Sequence, residues 1–309
     1  MQRNYKKLLF LLSYIFIFIG CSQKTPITWE ERIINSKMDY LPLYYDEYGD
    51  KSNKTILFLH GFGENHHTWR FLVSKLAAKY HLIMLDLKGF GDSPKLKDKA
   101  YSVYDQALLV NEFIKKEKLK DITLVGRSFG GGVALIMALI QENKLADKNI
   151  EKLVLINSMS YKQNLPSMME TLNQPIIGYL GIHMLDNKWI ASEGYRFAFY
   201  DDSLIPKESV DATAAYLTFP LAKYAYLETV HQLIPDDISI IEKKYAEITL
   251  PTLILWGKED VSISVKKAYR LKSELRNSRL KVLPHVGHMP QEEKPNVVSD
   301  EILKFMESH

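Results

Sequence analysis

Three stretches of this chain are predominantly apolar runs, Ile56 to Leu59, Leu82 to Leu85 and Ile122 to Val125, the last broken only by Thr123. Continuous apolar runs of this length suit strands buried on both faces of a sheet. Between them lie helical patterns, over Trp69 to Lys79 and Tyr104 to Lys118. Alternation of this kind predicts a mostly parallel sheet covered by helices, an α/β fold. Met38 to Tyr48 is expected to add an antiparallel edge hairpin. After Ser128 the segment FGGGVALIMALIQEN is apolar all round, which predicts a helix buried directly behind that serine, and IEKLVLIN supplies a further strand. From Ser158 to Glu247 no alternating strand pattern appears. Helical stretches broken by Pro166, Pro175, Pro206, Pro220 and Pro235 replace it, predicting a helical insertion and not a second independent domain. The α/β rhythm returns with TLPTLILWG, a helix over Ser264 to Leu275, the strand LKVLP and a terminal helix from Pro295 to Met306. The expected organisation is a core of residues 38–157 and 248–309 with a helical cap over 158–247.

The N-terminus follows a different pattern. Arg3, Lys6 and Lys7 precede an apolar stretch from Leu8 to Ile19, which gives way to Gly20 and Cys21. That is the layout of a secretory signal, too short for a comfortable membrane-spanning helix of about 20 residues. Gly20-Cys21 resembles a bacterial lipoprotein cleavage site. The resemblance implies a signal peptide over 1–20, lipidation at Cys21 and a tether over 21–37. Ser22 resembles an outer-membrane sorting residue, so the expected location is the outer membrane or cell surface. Phe18 stands where that pattern has Leu, Val or Ile, and leaves an ordinary signal peptide or an uncleaved anchor as alternatives. Cys21 is also the single cysteine of the 309 residues, which excludes an intrachain disulfide and a cysteine-rich metal site.

Composition narrows the partners. The formal charge is +3, but three of the 40 basic residues lie in the leader, and the rest equal the 37 acidic residues in number. No surface for nucleic acid or for a polybasic membrane contact is implied.

The candidate chemistry starts at Gly126 to Gly130, which read GRSFG between a strand and a helix. In the G-x-S-x-G pattern a sharp turn lifts the serine, here Ser128, into a strained conformation, and the glycines leave room for it. The following helix turns its first N–H groups and the positive end of its dipole toward the site, which favours an anion there. A serine hydroxyl also needs a base, and nine histidines are available.

On these residues the chain from Met38 to Met306 resembles the α/β-hydrolase family. HGFG, His60 to Gly63, occupies the place where that family supplies one oxyanion-hole donor, which implies Phe62 beside Phe129. DLKGFGDS, Asp86 to Ser93, matches its D-x-x-G-x-G-x-S loop and reads as a structural turn, with Asp86 and Ser93 satisfying backbone groups. The family places its histidine after the last strand, where HVGHMP offers His288. His285, three residues earlier, reads as a strand-end or loop residue without a metal ligand set. His66, His67, His81, His183 and His231 read as surface or packing residues. The family's acid follows the preceding strand, where LWGKEDVS implies Asp260, with Glu259 as the adjacent competitor. The alternative acid position carries Asn157 and Ser158 and no carboxylate.

The resemblance implies a serine hydrolase that needs no cofactor or metal, acting on small hydrophobic esters. Cap residues such as Met168, Met169, Trp189, Tyr195 and Phe197 supply apolar walls. Amidase, peptidase or thioesterase activity on the same residues, and a binding protein of this fold without catalysis, are alternatives. Carbon–carbon bond hydrolysis on the same residues is a further alternative, although members with that activity usually carry an aromatic residue after the histidine, where this chain has Met289.

Overall fold

In the computed structural model, which describes residues 28–36 and 40–308, the apolar runs pair into one seven-stranded sheet. Helix α1 (Trp29–Asn35) precedes β1 (Tyr45–Tyr48) and β2 (Thr55–Leu59). Then α2 (Arg70–Leu76) leads to β3 (His81–Leu85), α3 (Val103–Lys116) to β4 (Ile122–Arg127), and α4 (Phe129–Glu142) to β5 (Ile150–Ile156). Helices α5 (Ser167–Leu172), α6 (Pro175–Met184), α7 (Asn187–Ala198), α8 (Lys207–Tyr216), α9 (Ala222–His231) and α10 (Ile238–Ile241) follow. The chain then returns to the sheet with β6 (Thr252–Gly257), α11 (Lys266–Glu274) and β7 (Ser278–Leu283), and ends with α12 (Pro290–Glu293) and α13 (Pro295–Glu307).

The strand order is β1-β3-β2-β4-β5-β6-β7; β1 is antiparallel to β3 and every other pairing is parallel. Successive side chains of a strand point to opposite faces. Leu57 and Leu59 therefore join the core under α3 and α4, while Ile56 and Phe58 pack with Leu72, Leu76, Val298 and Ile302 on the other face. Both faces are covered, which is why these strands read as unbroken apolar runs. Each fully buried Leu or Ile contributes roughly 1.5–3 kcal/mol.

Between Ser158 and Glu247 the described residues contain helices and loops and no strand. The end of this stretch folds back on the sheet domain, because Ile241 and Tyr245 are buried in the core that contains α4.

Two expectations are corrected. Among the described residues of 38–48 no edge hairpin forms: only Tyr45–Tyr48 is a strand, and it pairs with β3. Tyr44 N–H instead donates to Ser93 Oγ at 2.8 Å, so the chain before β1 is tied to the loop after β3. The tether expected over 21–37 is also too long. Thr28 and Glu31 form a reciprocal capping box that starts α1, and Trp29 and Ile33 are buried in the core. The signal peptide, Cys21 and the rest of that tether lie outside the described residues.

Candidate active site

β4 ends at Arg127 and α4 begins at Phe129, leaving Ser128 to make the turn alone with φ 51° and ψ −116°. Such a conformation costs a non-glycine residue roughly 1–3 kcal/mol, so the surroundings must enforce it. They do so through Ser128 O, which accepts from the N–H groups of Gly131, Gly132 and Met159 at 3.0, 3.1 and 2.9 Å. The flanking glycines fit for a separate reason. A Cβ at Gly126 would collide with Gly130 O, and one at Gly130 with Leu59 O.

His288 arrives on the loop between β7 and α12. Its Nε2 lies 2.9 Å from Ser128 Oγ, and its Nδ1 lies 2.7 Å from Asp260 Oδ2. With Nδ1–H donating to the carboxylate, Nε2 is left to accept the serine hydroxyl proton. Asp260 follows β6, and its carboxylate also accepts from Asn157 Nδ2 at 2.5 Å and from the N–H groups of Ser262 and Ile263 at 2.8 and 2.9 Å. Burial alone would raise this carboxyl, but the charge and hydrogen bond of His288, then the Ile263 N–H and Asn157, outweigh it and hold Asp260 below its ordinary value. Glu259 points elsewhere and accepts from Val286 N–H. The structure thus brings together Ser128, Asp260 and His288, residues separated by up to 160 positions in the chain.

The two expected oxyanion donors differ in how they are set. Phe129 is the first residue of α4, where N–H groups have no intrahelical acceptor. Phe62 lines the same cavity as Ser128, and its ring is wedged against Tyr226 at 4.3 Å and Phe90 at 5.9 Å.

Sequence reasoning missed a buried clamp between the loops. Arg127, the residue before Ser128, forms an ion pair with Glu64 and donates from Nη2 and Nε to His288 O at 2.8 and 3.2 Å. Glu64 in turn accepts from Gly61 N–H at 3.0 Å. The pair therefore ties the His60–Gly63 turn to the backbone of His288. The signal was an arginine ending an otherwise apolar strand, since a buried charge requires a partner. Asn157 was also missed, having been weighed only as an absent carboxylate.

His60 and His66 do structural work. His60 is buried, with Nδ1 2.7 Å from Gly61 O and Nε2 accepting Leu87 N–H at 3.0 Å. His66, Asp86 and Asp92 place potential metal-ligand atoms within 4.8 Å of one another. Asp86, however, accepts from the N–H groups of His66 and Asp92 and faces His66 Nδ1 at 2.9 Å, which makes the cluster a hydrogen-bonded turn.

Above Ser128 and His288 lies a cavity of about 270 Å³, walled by Phe62, Met159, Met169, Ile190, Leu217 and Met289 among others. Among the described residues Arg127 is the one arginine or lysine in this lining, and it is occupied by Glu64 and His288 O.

Residues 54–181 match the family model described as alpha/beta hydrolase fold. The chain is 28% identical over 275 residues to an uncharacterized hydrolase of Bacillus subtilis, covering 87% of this chain and 96% of that one. It is 27% identical over 268 residues to Lipase 3 of a Moraxella species, covering 85% and 80%. A crystal structure of an Acinetobacter baumannii protein assigned as a lipase superposes with a TM-score of 0.71 and 26% identity over 88% of this chain and 90% of that one.

Proposed function

We infer that this chain, which has the α/β-hydrolase fold and lipase-type relatives, hydrolyses carboxylic esters with hydrophobic acyl groups through an acyl-enzyme on Ser128. The observation that carries this reading is the pair of contacts at His288, 2.9 Å to Ser128 Oγ and 2.7 Å to Asp260 Oδ2, at the floor of an apolar cavity. In the first half of the cycle Ser128 Oγ attacks the ester carbonyl as His288 Nε2 takes its proton. The N–H groups of Phe62 and Phe129 stabilise the oxyanion, each donor of this kind contributing roughly 3–4 kcal/mol. His288 then gives its proton to the departing alkoxide oxygen. Water, activated by the same imidazole, attacks the acyl-enzyme and releases the acid and Ser128. Asp260 holds the imidazole orientation and stabilises the imidazolium without taking the proton.

The cavity favours a neutral, apolar acyl group. An ionised one would be stripped of water among methionine and aliphatic side chains, and the single lining guanidinium is already paired. Hydrolysis of p-nitrophenyl esters of graded acyl length tests the reading. The expected result is turnover with an optimum acyl length in the wild type and loss of most turnover in Ser128→Ala and in His288→Ala. Wild-type rates in purified Ser128→Ala would reject it.

Cys21 is the proposed attachment point for a lipid anchor, supported by the basic and apolar leader before it. Cys21→Ala is expected to release the protein from membranes or block its processing. Normal processing and retention of the variant would contradict the anchor.

A further inference from the structure

Helix α6 is covered on one side only. Gly178 and Ile182 face inward: a Cβ on Gly178 would collide with Leu172 O, and Ile182 is buried with Leu172, Ile190, Leu227 and Val230. At 100° per residue Ile176, Ile177, Leu180 and Met184 fall on the opposite side. There Ile176, Ile177, Leu180 and Met184 are 50–79% exposed, with Tyr179 on the flank at 57% and Leu185 at the helix end at 44%. Residues 175–185 contain no Asp, Glu, Lys or Arg, and none of them lines the cavity above Ser128. Single exposed apolar side chains are ordinary, whereas a contiguous face on the order of several hundred Å² marks a surface that meets something.

The path of the chain indicates what that is. Helix α1 is the first described element after the leader, and it borders the turn over 231–236 that ends α9. Helix α9 packs in turn against α6. The described chain begins at Thr28, seven residues after Cys21, so a lipid on Cys21 would leave only a short connection between the bilayer and the folded body. Such a connection keeps the folded body close to lipid, at an effective concentration that makes even a weak contact persistent.

We propose that the uncovered face of α6 docks on the lipid bilayer that holds the N-terminus. It lies in the interface as an apolar helix face does, with its side chains reaching about 5–10 Å into the headgroup and acyl boundary. Helices α5 and α7, which flank α6, both contribute residues to the cavity wall, so docking brings the cavity beside lipid-borne esters. This proposal rests on the anchor reading of Cys21.

A built-in probe tests it. Trp189, at the start of α7, is 48% exposed, while Trp29, Trp69 and Trp256 are buried. The full chain is reconstituted in phosphatidylcholine vesicles with or without brominated acyl chains, which quench tryptophan on contact. The expected result is partial loss of tryptophan emission in brominated vesicles only. Ile176→Glu/Met184→Glu is expected to float with vesicles as the wild type does, to lose the quenching, and to keep wild-type hydrolysis of a water-soluble acetate ester. Flotation of the wild type without quenching overturns the docking and leaves the anchor standing. Failure to float removes the anchor and the docking with it. Quenching that persists in the double variant, or a lipid-free dimer that the variant disperses, also overturns the proposal, the last by assigning the face to a second copy.

Discussion

Asn157 Nδ2 lies 2.5 Å from the same Asp260 oxygen that His288 Nδ1 approaches at 2.7 Å. One carboxylate oxygen thus serves both an amide and the imidazole, while the other accepts the N–H groups of Ser262 and Ile263. The carboxylate is held by four donors and has little freedom to turn away.

Asp260→Asn keeps this shape but offers an amide where the imidazole needs an acceptor. Turnover of p-nitrophenyl esters is expected to fall about 10⁴-fold with the fold intact, as the wrong imidazole tautomer is favoured. A fall of less than tenfold in kcat would remove Asp260 from the role assigned to it.

Arg127 and Glu64 predict a stability effect. Removing one partner of a buried ion pair strands the other, so Arg127→Ala is expected to cost about 3–5 kcal/mol. Arg127→Met combined with Glu64→Gln is expected to recover part of that loss, because no charge is left unpaired. Urea unfolding of the two variants and the wild type measures both. Equal destabilisation by the single and double changes would show that the charges are not coupled.

His60 predicts a pH effect. Burial pushes its imidazole below the ordinary value of 6.5, against the pull of Asp86 and the hydrogen bond to Gly61 O. Its folded value is the lower one, so its contribution to stability is present above pH 6.5 and is lost as the pH falls through that value toward the folded one. His60→Gln, which has no proton to gain, is expected to be less stable than the wild type at pH 7 but to lose less on going to pH 5. Denaturant midpoints at the two pH values check this, and parallel losses in both proteins would contradict it.

The fold was legible wherever burial was symmetric. Strands covered on both faces leave uninterrupted apolar runs, and Ile56 to Leu59 or Leu82 to Leu85 could be read directly. The edge strand Tyr45–Tyr48 is only partly buried and carries no such run, which is why its extent was misjudged. Helix α1 escaped notice although Thr28 and Glu31 spell a capping box, because it follows a leader that reads as a tether. Ser128 and His288 were legible because local turns mark them and the family resemblance places them. Asn157 and the Arg127–Glu64 pair were not, since each acquires its role from a partner far along the chain: Asp260 is 103 positions from Asn157, and Glu64 is 63 from Arg127.

The most direct measurement is covalent. A fluorophosphonate reacts with a serine oxygen only where a base and an oxyanion site assist, so intact-mass and peptide analysis after labelling reports on the whole arrangement at once. The account predicts one adduct, on Ser128, that is absent in Ser128→Ala and forms far more slowly in His288→Ala. A folded wild-type protein that takes up no label, or an adduct of equal yield in Ser128→Ala, would contradict it.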